Sequence, residues 1–548
     1  MNKPLLRLSQ VSFSYPDAPC LLKELDLTIE QGSFTVILGE SGSGKSTLSR
    51  IMAQVMPEHE GRLDGNVYVN NEADGCSEGD DKGSEHIHRT LSLQAPISAP
   101  SLLVGHMGGE LSSFVIGVVE DELAFGPANL GVGISEIERR MEKELKRMDM
   151  LDYRLSVVEQ LSGGQQQKIA ASSVWTMEPQ LLIMDDAWSH LDRDAKQMFA
   201  DALLRWLEES PRHTLVMILP RVEHRDRIHP LWVRASWLQL QQGQLRSTIP
   251  FELASSLPIT NVSDGESKDK KNRNFDMRLQ VPAIKLEDAG TGYPDLSFGI
   301  QADGILMPGE AVLLQGENGS GKTTLLHLIT QSLPLQHGTA SIAGHSLSKL
   351  KSHELARLIG YVPQSSYAMF LYDTVQQELE FAYDSAISIG RNPFKLIPAK
   401  PLNENDGRVE QVDPMPMIQS NQGNQERLRT GWVEDHLKLL GLTQQAQDNP
   451  QELPAADRRM LNVIIATAHR PGLLILDEPT AGLDERSASA LIHYCELLRQ
   501  QGTALIVATH DELWDCFAQE RTNWQVWMMN NGNLHSSKHE NVKRDKKN

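Results

Sequence analysis

The sequence predicts an α/β fold that occurs twice in one chain. A glycine-rich pattern at Gly39–Thr47 (GESGSGKST) recurs at Gly316–Thr324 (GENGSGKTT), and an apolar run ending in acid at Gln180–Asp192 recurs at Gly472–Asp484. In each copy a short apolar run precedes the glycine-rich loop and a helical stretch follows it. Strand, glycine-rich turn and helix form the layout that places a ligand at the carboxyl edge of a parallel sheet. We therefore expect two tandem α/β domains.

A third repeated pattern supports a tandem duplication. LSGGQQQ begins at Leu161, 24 residues before Asp185, and LPAADRR begins at Leu453, also 24 residues before Asp477. Unrelated segments would not keep this register. The predicted segments are a first domain at 1–250, a polar linker at 251–281, a second domain at 282–537, polar inserts at 70–89 and about 391–429 (the latter disordered), and a basic tail at 538–548.

Composition excludes several classes of protein. The 548 residues carry 52 Lys and Arg against 72 Asp and Glu, a formal net charge of −20. This charge repels phosphate backbones and argues against nucleic-acid binding. No run approaches the roughly 18 apolar residues of a membrane span, so membrane attachment should run through a partner. The start of the chain lacks a signal-peptide pattern, and its four cysteines have no zinc spacing; we expect reduced cytosolic thiols.

Both glycine-rich patterns fit phosphate-binding loops. Backbone N–H groups of such a loop curl around phosphates, while its lysine reaches the β- and γ-phosphate oxygens and its hydroxyl binds Mg²⁺. Two such patterns, each followed at long range by an apolar strand ending in acid, are not a coincidence. The candidate residues for nucleotide binding are Gly39, Gly42, Gly44, Lys45, Ser46 and Thr47 in the first copy and Gly316, Gly319, Gly321, Lys322, Thr323 and Thr324 in the second.

The acids that end the two apolar runs are candidates for metal binding and catalysis. Asp185 and Asp477 are predicted to hold Mg²⁺ through water, together with Ser46 and Thr323. Glu478 follows Asp477 and is placed to polarise the attacking water. The first copy has Asp186 there, whose side chain is one methylene shorter.

Taken together, the two phosphate loops, LSGGQ and DEPTAGLD resemble the ATP-binding cassette (ABC) ATPases over nearly the whole chain outside the linker and inserts. The resemblance implies two P-loop NTPase domains, each with a RecA-like α/β core, a helical subdomain and an antiparallel β-subdomain. It also implies that the two domains pack head to tail, each ATP lying between one phosphate loop and the other domain's LSGGQ. The residues that this resemblance adds to the nucleotide sites are Ser162, Gly163, Gly164 and Gln165, and Tyr15 and Tyr293 for adenine stacking.

The resemblance also indicates that the two ATP sites are unequal. The second copy has Gln364 at the position of the family's glutamine for Mg²⁺ and water, and His510 at that of the switch histidine. The first copy has Gly108 or Gly109 at the glutamine position and Arg221 at the histidine position. His224 lies three residues beyond the histidine position, too far to replace it. Conversely, LSGGQ is intact in the first copy, whereas the second has a proline and an aspartate in LPAAD. In head-to-tail pairing all these departures fall into one composite site, which predicts one hydrolytic site and one that mainly holds ATP.

A further resemblance concerns the task of the ATPase. Val118–Gly131 (VVEDELAFGPANLG) is similar to the stretch that follows the glutamine loop in energy-coupling factor (ECF, cobalt-type) ATPases, and Asp373–Ala382 is a looser version. The fused-ATPase branch of this group has both cassettes in one polypeptide. The resemblance implies bacterial uptake of a vitamin or metal ion, a transmembrane energy-coupling subunit and a substrate-binding membrane subunit as partners, and a peripheral location on the cytoplasmic face of the cell membrane.

Three alternatives remain open at this level. A soluble tandem ABC ATPase acting on ribosomes or nucleic acid usually keeps LSGGQ in both halves, and the charge of −20 argues against it. A tandem sugar importer is expected to have a damaged second phosphate loop, but GENGSGKTT is intact. A nucleotide-gated scaffold does not need the complete second site. The solute and the roles of the two inserts are not encoded in recognisable motifs.

Overall fold

The computed structural model describes residues 3–16, 18–56, 61–69, 103–108, 114, 117–161, 163–189, 191–248, 281–292, 299–391, 393, 422–519 and 521–537. These residues form two compact units, one largely within residues 1–256 and the other within residues 257–548. Residues 251–280 of the predicted linker, the insert at 70–89 and the tail at 538–548 lie outside the described residues. None of the helices in the described part of the chain is long and apolar enough to cross a membrane.

The first unit combines a parallel sheet, an antiparallel sheet and helices. Its strands are Pro4–Ser14 (β1), Leu22–Glu30 (β2), Phe34–Gly39 (β3), Arg62–Val69 (β4), Val104–Gly108 (β5), Leu181–Asp185 (β6), Thr214–Leu219 (β7), Ala235–Gln241 (β8) and Gln244–Ser247 (β9). Its helices are Lys45–Met52 (α1), Val119–Asn129 (α2), Ile134–Arg147 (α3), Gly163–Trp175 (α4), Arg193–Glu209 (α5) and Pro230–Val233 (α6).

The two sheets of the first unit have different strand orders and different roles. The larger has the order β5-β6-β7-β3-β8-β9, parallel from β5 to β8, and the smaller is the antiparallel sheet β2-β1-β4. Strands β3, β6 and β7 are buried at every position, because a parallel sheet covered on both faces exposes neither side of its strands. Their carboxyl ends carry the phosphate loop and Asp185.

The second unit repeats this plan with its strands joined into one sheet. Its strands are Ile284–Gly292 (β10), Gly299–Leu306 (β11), Ala311–Gln315 (β12), His337–Ile342 (β13), His345–Ser346 (β14), Ile359–Val362 (β15), Leu473–Asp477 (β16), Ala504–Ala508 (β17), Trp524–Asn530 (β18) and Asn533–Ser537 (β19). Its helices are Lys322–Ile329 (α7), Ser352–Leu358 (α8), Val375–Ser388 (α9), Gln422–Leu440 (α10), Ala455–Thr467 (α11), Glu485–Gln500 (α12) and Glu512–Gln519 (α13). The strand order is β14-β13-β10-β11-β19-β18-β12-β17-β16-β15.

The predicted fold class is confirmed: each unit has a parallel α/β core, antiparallel strands and a group of helices. One local prediction is wrong at its edge. The second insert was expected to reach Arg429, but α10 already begins at Gln422. The first turns of this helix are polar, so no apolar pattern predicts a helix there. Its buried residues Trp432 and Val433 come later in the same helix. Residues 392 and 394–421 lie outside the described residues.

Candidate nucleotide-binding sites

Each phosphate loop lies between a buried parallel strand and the helix that follows it. In the first unit it joins β3 to α1, and in the second it joins β12 to α7. Gly44 and Gly321 immediately precede these helices with φ of 96° and 108°, in the left-handed region that favours glycine. The backbone is therefore bent where the loop turns its N–H groups toward a ligand, and a side chain at either position would strain it.

The loop lysines and serines show which polar atoms are available to a phosphate. Lys45 Nζ donates to the carbonyl oxygens of Gly39 and Glu40 at 2.8 and 2.7 Å, and Lys322 Nζ donates to that of Gly316 at 2.6 Å. Burial lowers the pKa of Lys45, partly offset by nearby carboxylates. The buried hydroxyls of Ser43 and Ser320 have no hydrogen-bond partner among the described residues. Both loops thus hold a cation and a spare donor where the sequence predicts phosphate, which fits an anionic ligand.

A hydroxyl and a carboxyl meet beside each loop. The Ser46 side chain hydrogen-bonds Asp185 in the first unit, and the Thr323 side chain hydrogen-bonds Asp477 in the second. Burial raises the pKa of Asp185 to about 6, and burial together with adjacent Glu478 raises that of Asp477 to about 7. A cation would relieve this desolvation cost, and oxygen donors of this kind suit Mg²⁺. The donor set fits the predicted metal.

The residues that follow these aspartates have the same backbone but different side-chain partners. Asp186 and Glu478 have φ of 56° and 45°, and each N–H donates to a carbonyl of the neighbouring strand at 2.8 Å. Glu478 accepts a hydrogen bond from the Thr509 hydroxyl at 3.0 Å, and its Oε1 lies 3.1 Å from His510 Nε2. The Asp186 carboxyl instead accepts from the Ser189 hydroxyl, and burial raises its pKa to about 6. Among the described residues, an imidazole lies beside this acid in the second unit alone.

Strand register corrects one prediction about the first unit. Asp185 pairs with Ile218 as Asp477 pairs with Ala508, so Pro220 occupies the position of His510. Arg221 was predicted at this position, and that prediction is wrong by one residue. A neutral imidazole can both donate and accept a hydrogen bond. The side chain of proline can do neither, and that of arginine can only donate.

Register also decides between the two glycines proposed for the glutamine position. Gly108 pairs with Asp185, whereas Val362 pairs with Leu476, one residue earlier in the strand. Gly108 therefore corresponds to Pro363. The residue that corresponds to Gln364 is Gly109, which lies outside the described residues.

A buried ion-pair network follows β7 of the first unit. Lys196 Nζ lies 2.8 Å from Glu223 Oε1 and 3.4 Å from Asp226 Oδ2, and Trp188 Nε1 donates to Asp226 at 3.0 Å. Counting from Asp185 and Asp477, Ala488 of the second unit corresponds to Lys196. The second unit has instead a hydrogen bond from Thr480 to Asp511 just after His510. The segment after β7 is thus held by ion pairs, and the segment after the equivalent strand β17 by a hydrogen bond.

Comparison with known proteins identifies the family. The sequence profile of the family described as ABC transporter matches residues 22–189 and 301–481, well over half of the chain. The chain belongs to the ABC transporter family. It is an ATP-hydrolysing enzyme with two tandem ABC segments, as the resemblance implied.

Two relatives align with most of this chain and along most of their own length. A Methanosarcina mazei protein named as an ABC transporter ATP-binding protein is 25% identical over 518 residues, which cover 92% of this chain and 90% of the relative. YkoD of Bacillus subtilis, whose name assigns it to HMP/thiamine import, is 24% identical over 544 residues, covering 92% and 87%. The solved structure of archaeal aABCE1, a ribosome recycling factor, is similar to this chain with a TM-score of 0.53 at 17% sequence identity. The similarity covers 96% of this chain and 89% of the aABCE1 chain. At this identity the last likeness shows the fold alone.

The signature segments of the two ABC units begin their helices differently. In the first unit α4 begins at Gly163 and includes Gly164 and Gln165, while Ser162 lies outside the described residues. In the second unit α11 follows Pro454, which has no side-chain capping bond and no N–H to offer. With proline in place of serine at this position, the helix start of the second ABC unit has one backbone N–H donor fewer.

The aromatic residues predicted to stack on adenine are only partly described. The Tyr15 hydroxyl lies 2.9 Å from Thr47 Oγ1, and its ring packs edge-on against Phe13 with centroids 5.0 Å apart. This places Tyr15 beside the helix that follows the first phosphate loop. Tyr293 lies outside the described residues.

Two residues of the second site were missed by sequence reasoning. Thr509 contacts Glu478, and Arg459 donates to the backbone of Gln364. Thr509 adjoins His510 at the end of a buried strand, a signal that could have drawn attention to it. Arg459 lies on α11 just after LPAAD, the segment that departs from LSGGQ, and no recognised motif includes it.

Proposed function

We propose that this chain is the ATP-hydrolysing subunit of a bacterial membrane importer of the energy-coupling factor type, serving vitamin or metal-ion uptake. The observation that carries the catalytic part is the difference between Glu478, which contacts Thr509 and His510, and Asp186, which is bonded to Ser189. One ATP site is then competent and the other degenerate.

In the competent site the second domain would bind the triphosphate and the metal. Lys322 would exchange its loop carbonyl partners for phosphate oxygens, and Thr323 and Asp477 would hold Mg²⁺ with Gln364. Mg²⁺ would neutralise charge that develops on the transferred phosphoryl group. Gly316, Gly319, Gly321 and Thr324 would complete this cradle.

Glu478 would polarise the attacking water in the same site. Thr509 holds one carboxylate oxygen, and His510 lies beside the other, so the carboxylate is oriented before substrate arrives. We further propose that Ser162, Gly163, Gly164 and Gln165 of the first domain complete this site against the γ-phosphate. We expect the two domains to close on each other within one chain.

The degenerate site keeps the groups needed for binding. Lys45, Ser46 and Asp185 have the same local contacts as their counterparts in the second unit. Asp186 is tied to Ser189, and Pro220 stands where the second unit has a histidine. This site would hold ATP and turn it over slowly.

The importer part rests on the motif after the glutamine position and on exposed aromatics within it. Glu122 and Glu378 are buried, and three residues after each a phenylalanine is exposed: Phe125 at 41% and Phe381 at 39%. Equivalent exposed rings in two repeated domains suit a partner that contacts both. The similarity to YkoD, named for HMP/thiamine import, supports the same class of partner. We propose a transmembrane energy-coupling subunit with a substrate-binding membrane subunit, and a location on the cytoplasmic membrane face.

Affinity purification from detergent-solubilised membranes tests the importer proposal. We expect a polytopic membrane protein to co-purify with the tagged chain, and the Phe125→Ser/Phe381→Ser variant to lose it while keeping its own ATPase rate. Met528→Ser is the matched control, because Met528 is 42% exposed on β18, outside the motif. Recovery of ribosomes instead of a membrane protein would favour the soluble tandem ATPase.

A further inference from the structure

A buried arginine holds the backbone of the Gln364 segment. Arg459 lies on α11 and is only 6% exposed. Its Nη1 donates to the carbonyl oxygen of Pro363 at 2.9 Å and its Nη2 donates to that of Gln364 at 2.8 Å. The planar guanidinium therefore bridges two consecutive carbonyls, which fixes the backbone just after β15 more firmly than a single bond would.

The same guanidinium places positive charge near the two acids of the site. Burial lowers the pKa of Arg459 to about 10, with neighbouring Arg458 adding to the effect and Asp477 and Glu478 opposing it. The group remains charged at neutral pH. Arg459 is also among the charges that lower the pKa of Asp477. A buried cation on α11 thus bears on both the Gln364 backbone and the metal-binding carboxyl.

The first unit has a different residue at this position. Counting from Leu161 and Leu453, Gln167 corresponds to Arg459. Gln167 is 2% exposed, and neither of its amide atoms has a hydrogen-bond partner among the described residues. The charged bridge is therefore a feature of the unit that carries Glu478 and His510.

We propose that Arg459 is a positioning residue for ATP hydrolysis, which fixes the Gln364 backbone so that its side chain reaches Mg²⁺ and the attacking water. This inference rests on the proposed role of Gln364. Arg459 lies on α11, the helix that begins in LPAAD and lacks the serine and glycines of LSGGQ. In this proposal, that helix still supports the glutamine of its own domain.

Substitution by lysine separates bridging from charge. Arg459→Lys keeps the positive charge but cannot bridge both carbonyls, so we expect kcat to fall about tenfold, the order of one lost charged hydrogen bond, with ATP affinity nearly unchanged. The Mg²⁺ concentration for half-maximal rate should rise, which a purely structural defect would not cause. Arg499→Lys is the matched control, since buried Arg499 also holds a carbonyl, that of Gly309, away from the site.

A double-mutant cycle decides whether Arg459 acts through Gln364. If it does, adding Arg459→Lys to Gln364→Ala lowers kcat no further than Gln364→Ala alone. An equal loss in both backgrounds, or a wild-type kcat for Arg459→Lys, would overturn the inference. Should Gln364→Ala itself leave kcat unchanged, the proposed role of Gln364 fails first. If Arg459→Lys does not fold, Arg459→Gln, which has the first unit's side chain, serves in the same cycle.

Discussion

The Nε2 atom of His510 lies 3.1 Å from Oε1 of Glu478, while the other oxygen of that carboxylate accepts a hydrogen bond from Thr509 at 3.0 Å. Both partners directly follow β17, and Glu478 directly follows β16. Because these strands are adjacent and parallel, the pairing of Asp477 with Ala508 brings the three side chains together. The first unit has the same strand pairing, and the corresponding positions hold Asp186, Leu219 and Pro220.

The first prediction concerns the inequality of the two acids. Glu478→Gln should lower steady-state MgATP hydrolysis by about 100-fold or more, because an amide cannot accept the water proton. Asp186→Asn should leave most of the rate, since Asp186 is already bonded to Ser189. Initial-rate phosphate release measures both variants, with fluorescent-nucleotide binding as the check on folding. Equal losses in the two variants would contradict the asymmetry.

The second prediction concerns the orientation of Glu478. Thr509→Val keeps the side-chain shape but removes the hydroxyl that donates to Glu478, so kcat should fall about tenfold while ATP affinity is retained. Thr509→Ser keeps a hydroxyl and serves as the control, with a rate near that of the parent. A Val variant as active as the Ser variant would show that this hydrogen bond does not orient the carboxylate.

The sequence predicted the parts of each site that depend on local pattern. The phosphate loops and the strands ending in Asp185 and Asp477 are continuous segments, so spacing and apolar runs define them. Position within a sheet is not local. Arg221 was predicted at the position of His510, whereas the strand pairing places Pro220 there.

Contacts between distant segments were beyond sequence reasoning. Arg459 and Gln364 are separated by 95 positions, and Thr509 and Glu478 by 31. Their pairing depends on how α11, β15, β16 and β17 pack, which no single motif encodes.

The third prediction is a pH dependence of stability without nucleotide or metal. Burial raises the pKa of Asp477 from 3.8 to about 7, so between about pH 4 and 7 the folded protein holds a proton that the unfolded chain has lost. Stability from this group is therefore full below about pH 4 and is lost as pH rises through 7. Asp477→Asn cannot ionise, so its melting temperature relative to wild type should be higher at pH 8 than at pH 5.

Thermal unfolding in EDTA at both pH values measures this effect. Glu434→Gln, a change of an exposed acid on α10, is the control and should show the same difference from wild type at both pH values. A gain for Asp477→Asn that is independent of pH would mean that Asp477 is not protonated in the folded protein.

The fourth prediction concerns the buried network of the first unit. Lys196→Met leaves Glu223 and Asp226 without their shared cation, and removing one partner of a buried ion pair typically costs about 3–5 kcal/mol. The loss should lie near 3 kcal/mol, because Arg225 still contacts Glu223 and Trp188 still donates to Asp226. Urea unfolding followed by tryptophan fluorescence measures it, since Trp188 lies within the network.

Arg139→Met is the control for this measurement. It breaks the exposed pair of Arg139 with Glu136 on α3, and such surface pairs contribute only about 0–1 kcal/mol. If Lys196→Met costs no more than Arg139→Met, the network does not hold the segment after β7. If it costs the expected amount while the remaining folded protein hydrolyses MgATP at the parental rate, the network stabilises the first unit without serving the reaction.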